Sequence, residues 1–183
     1  LNADGSPQWL NGQRLQELVS LAHQQGVKVS LSVGGSGGTS AQGFASATSS
    51  TWGIETLANR LISFVHDYQL DGLDLDWEYA DTPTTMQQYA NFVSHLRQRL
   101  SAEFGVGNKT LTVAWPQGTW PMPLASEILA TIDWLNIMAY DQPQIPHSSY
   151  QLALDGFAYY GETRGMPKNK MVLGVPFYGT GYV

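Results

Sequence analysis

The chain has 183 residues, 43% of them apolar and 11% aromatic, enough for one domain with a substantial core, and no run of eighteen apolar residues offers a membrane span. Nine basic against fifteen acidic residues leave a formal net charge of −6, which repels a phosphate backbone and argues against nucleic acid as a partner. With no cysteine, disulfides, thiolate zinc sites and a cysteine nucleophile are excluded.

Helical and extended patterns alternate along the chain, as in βα units on a parallel sheet. Leu15, Leu18, Val19 and Ala22 share one face of a helix predicted over Asn11 to Gln25, with Gly26 as its stop, and a strand over Val27 to Val33 follows. A Gly/Ser/Thr-rich stretch from Gly34 to Ser50 reads as a long loop. Ile54, Leu57, Ala58, Leu61, Ile62 and Val65 then define a second helix, leading to a strand over Gly72 to Trp77. Met86, Tyr89, Val93, Leu96, Leu100 and Phe104 form the stripe of a third helix. A strand near Leu111 to Trp115, a Pro-rich stretch from Pro116 to Pro123 and a helix near Leu124 to Thr131 come next. A strand near Trp134 to Tyr140, a helix around Tyr150 to Tyr160 and a strand near Met171 to Phe177 complete the series. The long stretches both follow strands, where parallel α/β folds place their ligand sites.

The segment Asp71 to Tyr79, DGLDLDWEY, carries the chemistry. Strand alternation puts Asp74, Asp76 and Glu78 on one face and Leu73, Leu75 and Trp77 on the other, against the helices. Neighbouring acids on one face are about 6 to 7 Å apart and raise one another's pKa, so such a row is costly as mere structure. A calcium loop does not fit, because the glycine and downstream glutamate of such loops are absent. His23, His66, His95 and His147 form no pair at metal-ligand spacing, and no metal or cofactor is expected. Trp115, Trp120, Tyr79 and Tyr178 lie on loops or strand ends where an aromatic face could stack on a sugar. Trp9, Trp52, Trp77 and Trp134 read as structural.

DGLDLDWE resembles the DGxDxDxE signature of glycoside hydrolase family 18, the chitinases and their relatives. Leu31 to Gly35 is similar to that family's SxGG strand end, Asn136 to Asp141 to its Met-x-Tyr-Asp motif, and Leu173 to Gly179 to its seventh barrel strand. The resemblance implies a (β/α)8 TIM barrel, of which about five βα units are present. Residues 1–183 are thus expected to form part of a single catalytic barrel domain that lacks the first two strands and the last. It implies a substrate-assisted retaining mechanism, the exception to two-carboxylate catalysis. Glu78 would protonate the scissile oxygen, with a pKa raised by its acidic neighbours. Asp76 would accept the N–H of the sugar's acetamide, and Asp74 would sit behind it. Tyr140 would hydrogen-bond the acetamide, Met138 would form the apolar floor and Asp141 would follow as a further acid. Ser32 would back Asp74, while Gly34 and Gly35 would turn the chain. Tyr79, Trp115 and Tyr178 are the expected sugar-contacting aromatics.

The implied partner is chitin or a chito-oligosaccharide, and the implied intact protein is a secreted monomer. Two rival readings share the same fold: a catalytically weak, lectin-like chitin binder, and an endo-β-N-acetylglucosaminidase acting on N-glycans. The retained Glu78 argues against the first, and Asp141 leans away from the second. Ala80 and Thr180 depart from the family pattern.

Overall fold

The computed structural model describes residues 10–143, 145–179 and 181; Trp9 and Thr180 lie outside them. Helix α1 (Gly12–Gln24), β1 (Ser30–Gly35), α2 (Gly38–Thr48), α3 (Thr51–Asp67), β2 (Gly72–Trp77) and α4 (Pro83–Phe104) form the first half. They are followed by β3 (Thr110–Pro116), α5 (Ser126–Thr131), β4 (Trp134–Met138), α6 (Tyr150–Ala158) and β5 (Met171–Gly174). The five strands make one sheet in chain order, and every pairing is parallel. Among the described residues no helix is long and apolar enough to cross a membrane.

The boundaries have local causes. After α1 the Val27 N–H still bonds the Ala22 carbonyl at 2.9 Å, with Gly26 at φ +68. That helix-ending turn consumes the residues expected to open the strand, so β1 begins at Ser30 rather than Val27. Helix α4 starts on a capping box, Thr82 with Thr85, and has Pro83 in its first turn, where a missing N–H costs nothing. The stretch expected to be a loop after β1 instead folds largely as α2. Its anchor is Phe44, fully buried and stacked on Trp77 at 5.2 Å. Ala, Ser, Thr and Gly supply most of the remaining surface, so the apolar periodicity was too weak to read.

The core lies between the outer face of the sheet and the helices. Leu73, Leu75 and Trp77 of β2, Leu111, Val113 and Trp115 of β3, and Leu135 and Ile137 of β4 are all buried there. They belong to one cluster with Leu57, Leu61 and Val65 of α3 and Tyr89, Val93 and Leu96 of α4. The N-terminal ends of the strands are closed by a repeated polar device. Asp71, just before β2, accepts the Val29 N–H at 2.7 Å, and Asp133, just before β4, accepts the Leu111 N–H at 2.7 Å. Lys109 and Lys170 donate to the Leu70 and Ile132 carbonyls, each at 2.7 Å. These ties satisfy backbone groups that the sheet leaves open, and leave the opposite, C-terminal end free for a site.

Candidate active site

Strand register assembles the site in layers. Asp74 lies opposite Ser32 on one side and Thr112 on the other. Ser32 Oγ donates to its carboxylate at 3.0 Å, Thr112 Oγ1 at 2.5 Å and Asn136 Nδ2 at 2.8 Å. Trp134 Nε1 donates to Asn136 Oδ1 at 3.1 Å, which turns the amide so that its NH2 faces Asp74. Three donors from three strands therefore hold one carboxylate.

One layer higher, Asp76 is treated differently. Its Oδ1 is buried and has no hydrogen-bond partner among the described residues. Burial, then the charges of Glu78 and Asp74, push its carboxyl up to about 7, because an ion taken out of water without compensation keeps its proton instead. The proton-retaining acid expected from the sequence was the last of the row, whereas the structure buries the middle one.

Glu78 follows β2 directly and lines a cleft of about 470 Å³ with Asp76, Tyr79, Met138, Tyr140 and Tyr178. Burial first, and then the neighbouring Glu78 side chain, hold the pKa of the Tyr79 phenol far above its ordinary value. Tyr79 also meets Trp120 edge-on at 5.0 Å, and Trp120 is 62% exposed on the same cleft. A second hollow, lined by Ala41, Gln42, Asp81 and Thr85, shares Glu78, Tyr79 and Trp120. Glu78 therefore stands where two hollows meet, a place that could contact both sides of a bond in a chain-like ligand. Burial, followed by the charges of Asp76 and Glu78, raises the Tyr140 phenol. At the rim Asp141, at φ +59, accepts the Tyr178 O–H at 2.6 Å, a bond that leads the causes pushing that phenol up to about 12. Among the described lining residues are Asp76, Glu78 and Asp141, and neither lysine nor arginine.

A family model described as "Glycosyl hydrolases family 18" matches residues 2–183. The chain belongs to that family. It is 30% identical over 179 residues to Chitinase 1 of Aphanocladium album, an alignment covering 85% of this chain and 42% of that protein. It is 30% identical over 190 residues to Chitinase A1 of Niallia circulans, covering 85% of this chain and 27% of that one. A crystal structure of a chitinase from Rhizomucor miehei superposes with a TM-score of 0.80 at 29% identity, over 96% of this chain and 59% of the other. The chain thus spans between about a quarter and three-fifths of these relatives, and its five described parallel strands form an arc of the family 18 TIM barrel.

Within this family 18 arc, Asp76, Glu78, Tyr79, Met138, Tyr140, Asp141, Tyr178 and Gly35 line the cleft together. Ser32 and Asp74 bond to each other in the layer below. Trp115 is a correction. It is fully buried, and its Nε1 donates to the Met122 carbonyl at 3.1 Å, so it offers no face to a sugar. In β3 it shares parity with Leu111 and Val113, which point to the helices; that alternation was the available signal. Its edge meets Tyr79 at 5.6 Å from behind. Sequence reasoning missed Thr112 and Asn136, the partners of Asp74, and Gln117 and Ser36 on the cleft wall.

Gly34 contributes through its backbone. It pairs with Asp76 at φ +126, and an added Cβ would stand 1.9 Å from the Asp76 carbonyl oxygen. Gly34→Ala should destabilise the full-length protein by about 3 kcal/mol or more. Gly107→Ala is the control: its φ is +77, with nothing within 4 Å of the new carbon, so it should cost only the backbone strain of about 1 kcal/mol. Urea unfolding of both variants checks this, and equal midpoints would show that the contact with Asp76 carries no weight.

Proposed function

We propose that the protein containing this chain is a chitinase that hydrolyses β-1,4-linked N-acetylglucosamine polymers with retention. Glu78 serves as general acid/base, and the acetamide of the sugar serves as nucleophile. The observation that carries this reading is the partnerless oxygen of Asp76, beneath Glu78 and in one cleft with Tyr140 and Met138. A protein nucleophile is a second carboxylate facing the anomeric carbon, and it attacks in its ionised form. Asp76 is mostly buried and holds a proton to about pH 7, which suits an acid waiting for a hydrogen-bond partner from the substrate.

In the first step Glu78 gives its proton to the glycosidic oxygen and the C1–O bond breaks. The acetamide oxygen bonds to C1, forming an oxazolinium ion. Asp76 accepts the acetamide N–H, and in its ionised form, reached as pH rises through about 7, its negative charge stabilises the cation. The Tyr140 O–H steadies the acetamide and Met138 supplies an apolar floor. Glu78, now a carboxylate, takes a proton from water as the water oxygen attacks C1 and the bond from C1 to the acetamide oxygen breaks, which restores the acetamide and the protonated Glu78. Sugars on either side would rest on Tyr79, Trp120 and Tyr178. The strands that close the barrel are proposed to lie outside these 183 residues. Secretion follows from the reading too, since an insoluble polymer cannot be brought to an internal enzyme.

Chitotetraose and its analogues test the mechanism on the full-length protein. Proton NMR should show the β-anomer first. An analogue whose −1 sugar carries a free amine should bind but resist cleavage, by roughly 10³-fold or more, because it lacks the nucleophile. Rapid cleavage of that analogue, or a glycosyl ester trapped on Asp76 by mass spectrometry, would refute substrate assistance.

A further inference from the structure

His147 takes no part in the steps above, yet it stands at the centre of a cluster on the cleft rim. Its side chain is 12% exposed, against 53% for Asp141. Nδ1 lies 3.2 Å from Asp141 Oδ1 and 3.4 Å from the Asp141 backbone nitrogen. The ring packs on Tyr178 at 5.7 Å, and the Tyr178 O–H donates to the other carboxylate oxygen of Asp141. The loop turns back to make this possible. The Gln142 N–H donates to the His147 carbonyl at 3.2 Å, and Ser148 Oγ donates to the Ala139 carbonyl at 2.9 Å.

One ring nitrogen thus faces a donor and an acceptor of the same residue. Unprotonated, Nδ1 accepts the Asp141 N–H but turns its lone pair toward Oδ1. Protonated, it donates to Oδ1. Only the second arrangement puts a donor on each carboxylate oxygen, and a carboxylate held at both oxygens cannot rotate without losing a bond. The backbone of Asp141 is in the left-handed region, at φ +59, a conformation that aspartate tolerates better than most residues.

We propose that His147 is a positioning residue for substrate recognition: its Nδ1–H aims the Asp141 carboxylate at the sugar while its ring holds Tyr178 in place. The proposal rests on the chitinase reading and adds to it that Asp141, which lines the cleft, accepts a sugar hydroxyl or amide N–H. Asp141 lies on the rim, so it would bind the ground state and the transition state alike, and its misalignment would act on KM.

The test uses the full-length protein with chitotetraose as substrate. His147→Phe keeps a ring against Tyr178 and removes the nitrogen; His147→Asn restores a donor near the Nδ1 position. We expect His147→Phe to raise KM about tenfold, with kcat within about twofold, the scale of one charge-assisted hydrogen bond. His147→Asn should recover most of the loss, with the thermal midpoint of both variants close to wild type. An unchanged KM in His147→Phe, or an equal loss in both variants accompanied by lower thermal midpoints, overturns the proposal. A separate arm needs no turnover: side-chain nitrogen NMR of the unliganded protein should show the His147 Nδ1 signal shift in Asp141→Asn, and an unchanged signal overturns it. Failure of wild type to cleave chitotetraose would instead strike the chitinase reading, leaving the NMR arm to decide the role of His147.

Discussion

Glu78→Gln in the full-length protein should retain chito-oligosaccharide binding and lose turnover by roughly 10² to 10⁴-fold, the scale of a positioned general acid. Glutamine matches the shape of glutamate, but it has no proton of suitable acidity for the leaving oxygen. Calorimetry on chitotetraose beside steady-state kinetics separates the two effects. A variant that turns over within tenfold of wild type would require the acid to be sought elsewhere in the cleft.

Asp76→Ala should lower turnover by roughly 10²-fold or more for a different reason, since it leaves the acetamide unoriented and the ring cation without its neighbouring charge. Asp76 also makes a prediction about stability. Its carboxyl is raised from 3.8 to about 7 in the folded protein, so between these pH values the folded state binds more protons than the unfolded chain. Stability therefore falls as pH rises through that window, and the loss is complete above about 7. A shift of this size corresponds to roughly 4 kcal/mol. Asp76→Asn removes the titration, so the fall in urea midpoint from pH 4 to pH 8 should be shallower and the variant more stable at pH 8. Parallel profiles for wild type and Asp76→Asn would show that the burial of Asp76 is not coupled to folding.

The βα alternation and the facing of Asp74, Asp76 and Glu78 were legible because both depend on periodicity within a single element. Met138 and Tyr140 were legible through the motif that contains them. Thr112 and Asn136 were not, because their roles depend on which residue of one strand lies opposite which of another. Helix α2 was hidden by its small residues, its place being set by Phe44, which packs on Trp77, Tyr89 and Phe92. The burial of Asp76 was unreadable for a related reason. How much water reaches the middle of an acidic row depends on walls contributed by other strands.

The donors around Asp74 arrive from β1, β3 and β4, the strands on either side of β2 and one beyond. The carboxylate therefore works as an indexing pin for the sheet. Sliding β3 by one residue against β2 would replace Thr112 with Leu111 or Val113 and turn the β3 side chains to the wrong face. Asp74 would then face a hydrocarbon chain across the sheet, and losing one neutral donor from its carboxylate costs about 1 to 3 kcal/mol. A chain that mispairs its strands is thus penalised at the place where chemistry is to occur, and assembly of four neighbouring strands in the correct alignment completes the floor of the cleft.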